Sequence, residues 1–203
     1  KIHVHGARKG EKRPAIVFFF GGGWTSGTPE QFRRQAEHFA RRGMVAARAD
    51  YRVASRHKTS PLEAVEDARS AVRWLRKNAD DLGLDPERIV GSGGSAGGHL
   101  AAAATITDAG DAKDEDLSVS SKPNLMVLFN PVFDLVSIRA DRMPGPDKEG
   151  QARSISPIFF VKKETPDAIV FFGTADALLE QGRKLLERSK ELGNTVELYT
   201  AEG

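Results

Sequence analysis

At 203 residues, 39% of them hydrophobic and 29% charged, the chain is long enough for one domain with a real core, burying roughly 70% of the surface its unfolded form exposes. Its 30 Lys and Arg nearly cancel 28 Asp and Glu, leaving a net charge of +2, which gives neither nucleic acid nor an anionic membrane a field to bind. Cysteine is absent, which excludes disulfides, thiolate catalysis and cysteine-based zinc sites but leaves the compartment open.

No apolar run approaches the roughly 20 residues that span a bilayer, and no signal-peptide pattern is present. The chain opens on Lys1 rather than methionine and closes at Glu202-Gly203, so further sequence is expected at one or both ends. Oligomeric state is not readable.

Taken in order, strand-like and helix-like segments alternate. His3 and His5 fall on the same face of a short edge strand. A third ligand is not evident, so they are not read as a metal site. Ala15 to Phe20 is a continuous apolar strand running into Gly21-Gly22-Gly23. Gln31 to Arg42 reads as a helix, Met44 to Ala49 as a strand, and Glu63 to Asn78 as a helix whose Val65, Ala68, Val72 and Leu75 form a sheet-facing stripe. Arg88 to Ser92 is the next strand, followed by a helix of small residues through Ala101 to Ala104. Strands follow at Leu125 to Asn130, Ala168 to Phe172 and Thr195 to Thr200, with a helix from Glu180 to Leu192 before the last.

This alternation predicts an α/β fold, a mainly parallel sheet with helices on both faces, in a single domain over 1–203. Asp108 to Lys122 and Asp134 to Pro157 break the pattern and read as long loops. Both are expected beyond the carboxyl ends of the strands, where open α/β sheets place their ligands.

Gly93-Gly94-Ser95-Ala96-Gly97 carries the chemistry. It has the form G-x-S-x-G, set between a short apolar strand and a helix, as a nucleophile elbow requires. A serine on so sharp a turn sits in strained backbone geometry, and side chains larger than glycine beside it would collide. Gly91 to Ala96 also satisfies G-x-G-x-x-A, the dinucleotide fingerprint, with Asp114, Glu115 and Asp116 about 20 residues on. That fingerprint closes the first strand of its unit, whereas two strand-helix units precede this one, so the serine reading leads.

A serine nucleophile needs a base, an acid to orient the base, and donors for the developing oxyanion. Glycines at Gly22 and Gly23 let backbone N–H groups approach that charge, and the Ala96 amide completes the hole. Trp24 beside them is expected to contact substrate.

These motifs together resemble the α/β-hydrolase fold, specifically its bacterial esterase/lipase branch related to hormone-sensitive lipase and to acetylxylan and feruloyl esterases. The resemblance covers nearly the whole chain and rests on Phe20-Gly21-Gly22-Gly23-Trp24, Asp50-Tyr51-Arg52, the elbow at Gly93 to Gly98, and Gly173-Thr174-Ala175-Asp176. It implies a serine carboxylic ester hydrolase acting on small acyl esters, with Ser95 as nucleophile and Asp176 as triad acid. Asp134 is the weaker alternative acid. It implies no cofactor.

Two positions depart from the family. Phe20 stands where the family places a histidine that holds the glycine loop. The triad histidine, which should follow Asp176, has no counterpart, since no histidine follows His99. The base is therefore expected just beyond residue 203, in a fold truncated at its C-terminus. His99, one turn past Ser95, would point back along its helix, a poor geometry for a base. The competing reading is a non-catalytic binding protein or inactive fragment on the same fold.

Overall fold

The computed structural model describes all 203 residues. Seven strands form one sheet: β1 (Ile2–His5), β2 (Arg13–Phe19), β3 (Val45–Ala49), β4 (Leu84–Gly94), β5 (Leu125–Phe129), β6 (Ala168–Gly173) and β7 (Val196–Ala201). Their order is β1-β3-β2-β4-β5-β6-β7. Only β1 runs antiparallel to its neighbour, pairing Ile2 with Ala49 and His5 with Ala46. The helices are α1 (Arg33–Arg41), α2 (Ala54–His57), α3 (Pro61–Lys77), α4 (Ala79–Leu82), α5 (Ala96–Ile106), α6 (Val136–Arg139), α7 (Lys148–Ser154) and α8 (Leu179–Glu191).

The apolar run in β2 has a direct cause. A central parallel strand is covered on both faces, and each residue from Ala15 to Phe20 is at most 2% exposed. The α3 stripe is where its spacing predicts, with Val65, Ala68, Val72 and Leu75 all at 0%. Its start is set by a capping box in which the Leu62 amide donates to Ser60 Oγ and the Ser60 amide donates to Glu63 Oε2. Every residue of α5 is buried; its alanines and glycines let it lie close against β4.

Strand β4 is longer than Arg88 to Ser92. Leu84 pairs with Arg13 across an irregularity before the regular register of Ala15 with Ile89 begins. Pairing through a bulge leaves no period-two signature to read.

The two long connections have different fates. Helix α5 starts at the carboxyl end of β4 and runs back, so the segment after it emerges at the amino ends of the strands. There Arg69 and Arg73 both pair with Asp111, and Arg76 donates to the carbonyls of Ser120 and Lys122. Asp108 to Lys122 is thus irregular, as expected, but lies at the end of the sheet opposite to Ser95. The same placement separates Asp114, Glu115 and Asp116 from the glycine-rich turn, removing the dinucleotide reading. Asp134 to Pro157 does leave the carboxyl end of β5. It is not a bare loop, since it contains α6 and α7, the latter capped by Asp147 Oδ1 accepting from the Gly150 amide at 3.0 Å.

One face of the sheet is filled by α3, α5 and α8; Gly182 of α8, for example, sits where a Cβ would be 2.4 Å from the Phe172 ring. On the other, α1 packs on β1, β2 and β3. Beyond it an aromatic row crosses the sheet. Phe32 faces Phe129 at 6.3 Å between ring centres, Phe129 stacks on Phe171 at 5.3 Å and Phe171 on Tyr199 at 5.5 Å. Phe171 is 36% and Tyr199 50% exposed. No helix is long and apolar enough to cross a membrane.

Candidate active site

Gly94 ends β4 and Ser95 turns the chain into α5 with φ 52° and ψ −118°. A non-glycine residue held there costs of order 1–3 kcal/mol, which the surroundings must offset. The neighbouring glycines are explained by contact. A Cβ on Gly93 would lie 2.5 Å from the Gly97 and Phe19 carbonyl oxygens, and one on Gly97 would lie 2.0 Å from Phe19 O. The Ser95 amide donates to Phe129 O at 2.9 Å, tying the turn to β5. Ser95 caps the N-terminus of α5, where unsatisfied amides, Ala96 first among them, carry the positive end of the helix dipole.

The glycine loop after β2 abuts this turn. A Cβ on Gly21 would lie 3.5 Å from Ser95 Cβ and 2.9 Å from Gly94 O. Gly22 and Gly23 have φ of 138° and 60°, which glycine adopts at little cost. The loop is pinned at three of its peptides. The Gly21 amide donates to Gln31 Oε1 at 2.6 Å. Gly22 O accepts from the Thr25 and Ser26 amides, both at 3.1 Å, and Trp24 O accepts from the Ala54 amide at 3.0 Å. The Gly22 and Gly23 amides donate to no protein acceptor.

Phe20 fills its place by packing. It is 1% exposed and stacked on Tyr51 with ring centres 4.1 Å apart, while Tyr51 Oη donates to Phe20 O at 2.7 Å. Burial pushes the Tyr51 hydroxyl up from its ordinary value, so it remains a donor. An aromatic stack and one buried hydrogen bond thus anchor the start of the loop.

Trp24, expected to contact substrate, is turned inward instead. It is 3% exposed, its Nε1 donates to His99 Nδ1 at 3.3 Å, and the two rings meet edge-on at 5.2 Å. The apolar indole gains more inside, and His99 supplies its polar atom with an acceptor. His99 Nε2 in turn donates to Ile155 O at 2.7 Å. With both nitrogens engaged and the ring fully buried, desolvation lowers the His99 pKa to about 4, so it is a neutral structural residue.

Asp176 follows β6, two strands across from β4. Its Oδ2 accepts from Asn130 Nδ2 at 2.6 Å and its Oδ1 from the Leu178 amide at 2.7 Å. Asn130, the residue after β5, has φ 46° and donates its own amide to Phe171 O at 2.7 Å. The end of β5 therefore touches both Ser95, through Phe129, and Asp176, through Asn130. Asp134 is engaged differently, its Oδ1 accepting from the Ser137 amide at 3.3 Å at the start of α6. No histidine side chain hydrogen-bonds to Ser95 or Asp176; His5 accepts from Arg48 and His57 from the Val53 amide. A cavity of about 750 Å³ beside α3 includes His57, Arg52 and Trp74 but neither Ser95 nor Asp176.

Asn130, Gln31 and Arg142 were not singled out as site residues from the sequence. Asn130 precedes Pro131, a turn signal; the other two reach the loop only through tertiary packing.

Comparison with known proteins fits this geometry. Esterase 2 of Thermogutta terrifontis, in a structure described as phosphonylated by cyclosarin, superposes with a TM-score of 0.92 at 43% identity, covering 100% of this chain and 77% of that one. Other structures of it are described as phosphorylated by paraoxon and as propionate bound. Esterase LipC of Mycobacterium tuberculosis is 28% identical over 208 residues, covering 90% of this chain and 49% of LipC. Carboxylesterase NlhH of the same species is 37% identical over 91 residues, 44% of this chain and 28% of NlhH. The chain thus spans about half, or less, of the curated relatives' length. The BD-FAE family profile matches residues 2–190, and with the sheet order and strand-turn-helix at Ser95 it follows that the chain belongs to the BD-FAE family of α/β-hydrolase esterases and lipases.

Proposed function

We propose that the protein carrying this chain is a serine carboxylic ester hydrolase acting through an acyl-enzyme on small acyl esters. Ser95 Oγ attacks the ester carbonyl, its proton passes to a histidine, and the alcohol leaves with that proton. Water then cleaves the acyl-enzyme by the reverse exchange. The amides of Gly22, Gly23 and Ala96 hold the oxyanion in both halves. Asp176 orients the histidine, with Asn130 and the Leu178 amide holding its carboxylate. Trp24 serves by shaping the glycine loop from beneath. None of the five histidines here is suited to be the base, so in this reading it comes from beyond residue 203.

The observation that carries the proposal is Ser95 at φ 52° on the N-terminus of α5, with two free glycine amides on the adjoining loop. Organophosphate-modified, propionate-bound and butyrate-bound states of the Thermogutta esterase support both the serine chemistry and the short acyl group. The whole protein is expected to hydrolyse p-nitrophenyl acetate and to be labelled at Ser95 by a fluorophosphonate. If it does neither, the chain is a non-catalytic binding protein on a hydrolase fold.

A further inference from the structure

The contact to the glycine loop that spans most sequence comes from the segment between β5 and α7. Gly23 O accepts a short hydrogen bond from Arg142 Nη1, 119 residues away. The same nitrogen donates to Thr25 Oγ1 at 2.8 Å, and Thr25 Oγ1 donates to Gly23 O at 3.2 Å. Arg142 lies in a single 3₁₀ turn, Ala140–Arg142, between α6 and α7. It forms no ion pair, although the chain has fifteen.

The held peptide needs holding. Gly23 and Trp24 are consecutive left-handed residues, at φ 60° and 58°, and only the first is a glycine. A flip of the Gly23–Trp24 peptide would return Trp24 to ordinary backbone space. Because a trans peptide is planar, fixing Gly23 O also fixes the direction of the Trp24 N–H and, through the shared Cα, limits rotation of the Gly23 N–H. The Gly22–Gly23 peptide has its own turn hydrogen bonds. The Gly23–Trp24 peptide has only Thr25 Oγ1, itself part of the loop, and Arg142.

We propose that Arg142 is a positioning residue that latches the glycine loop in the conformation presenting the Gly22 and Gly23 amides to the oxyanion. This makes those donors depend on the segment between β5 and α7, which leaves the same end of the sheet. The proposal rests on the hydrolase reading above. It predicts that loss of the latch is felt in the transition state more than in substrate binding, since the oxyanion exists only in the former.

In the whole protein, Arg142→Met should lower kcat for p-nitrophenyl acetate about 10- to 100-fold with KM little changed, and slow fluorophosphonate labelling of Ser95 in parallel. Arg142→Lys should restore much of the rate, and guanidinium ion should partly rescue Arg142→Ala. An Arg142→Met enzyme with unchanged kcat, or one altered in KM alone, overturns the proposal. A second readout needs no activity. In a background where every tryptophan other than Trp24, Trp74 among them, is replaced by phenylalanine, Arg142→Met should red-shift the Trp24 emission and admit acrylamide while the thermal midpoint stays close to that of the background protein. Unchanged Trp24 emission overturns the latch even if the protein hydrolyses no ester, and an unaltered protein inert to ester and fluorophosphonate overturns the hydrolase reading alone.

Discussion

Trp24 Nε1 reaches His99 Nδ1 at 3.3 Å, so the underside of the glycine loop is fastened to the helix that begins at Ser95. This bond requires an unprotonated Nδ1, and the buried ring stays neutral with a pKa of about 4 against an ordinary 6.5. Unfolded His99 binds a proton near pH 6.5 and the folded residue does not. Its contribution is therefore complete above pH 6.5, declines as pH falls, and is gone below about pH 4, a loss of order 3 kcal/mol. Thermal midpoints recorded from pH 7 to 4 should fall, and His99→Gln, less stable at neutral pH, should show a shallower fall. Parallel slopes in the two proteins would refute this account.

If the proposed hydrolase function holds, Ser95→Ala should eliminate ester hydrolysis and fluorophosphonate labelling while leaving the thermal midpoint close to wild type or raising it, because alanine removes the hydroxyl assigned as nucleophile but little packing. On the same proposal, with Asp176 as the triad acid, Asp176→Asn should keep the fold and lose roughly 10⁴-fold in kcat, the magnitude seen when a triad aspartate becomes an amide. Asn130→Ala frees one side of the Asp176 carboxylate, and a smaller loss, about 10- to 100-fold, is expected in steady-state kinetics.

Gly97→Ala tests the contact at the elbow. Its Cβ would meet the Phe19 carbonyl at 2.0 Å and that of Phe20 at 2.5 Å, both backbone atoms of central strand β2 or its end. The variant should lose more than about 4 kcal/mol in urea unfolding or fail to accumulate as folded protein. Gly43→Ala is the contrasting case. No atom lies within 4 Å of its Cβ position, and the cost should be confined to the strain of φ 93°, about 1–2 kcal/mol.

Tyr51→Phe keeps the stack on Phe20 but removes the donor at 2.7 Å from Phe20 O. A buried carbonyl left without its partner costs about 1–3 kcal/mol, measurable as a lower denaturation midpoint. Activity should fall further than stability alone explains, since Phe20 O belongs to the residue from which the glycine loop departs.

Much of this architecture is legible in the residues because it is local. The β2 run, the α3 stripe and the glycines around Ser95 each carry their signature within a few positions, so strands, helices and elbow fall where the pattern predicts. What escaped is contact between distant segments. Nothing near Trp24 says that His99 will take its indole inward, and nothing near Arg142 says that it ends on Gly23. The placement of Asp108 to Lys122 was misread for a related reason. Its composition marks a loop, but the end of the sheet it occupies follows from the direction of α5, which periodicity does not encode.

The aromatic row from Phe129 through Phe171 to Tyr199 bears on how the 203-residue chain behaves in a tube. A half-exposed apolar stripe beside the open edge of β7 is a surface that wets poorly and recruits other greasy surfaces. The chain in isolation should bind an anilinonaphthalene dye while folded and shed light-scattering species on addition of mild detergent; Phe171→Thr should weaken both effects without touching the Ser95 turn.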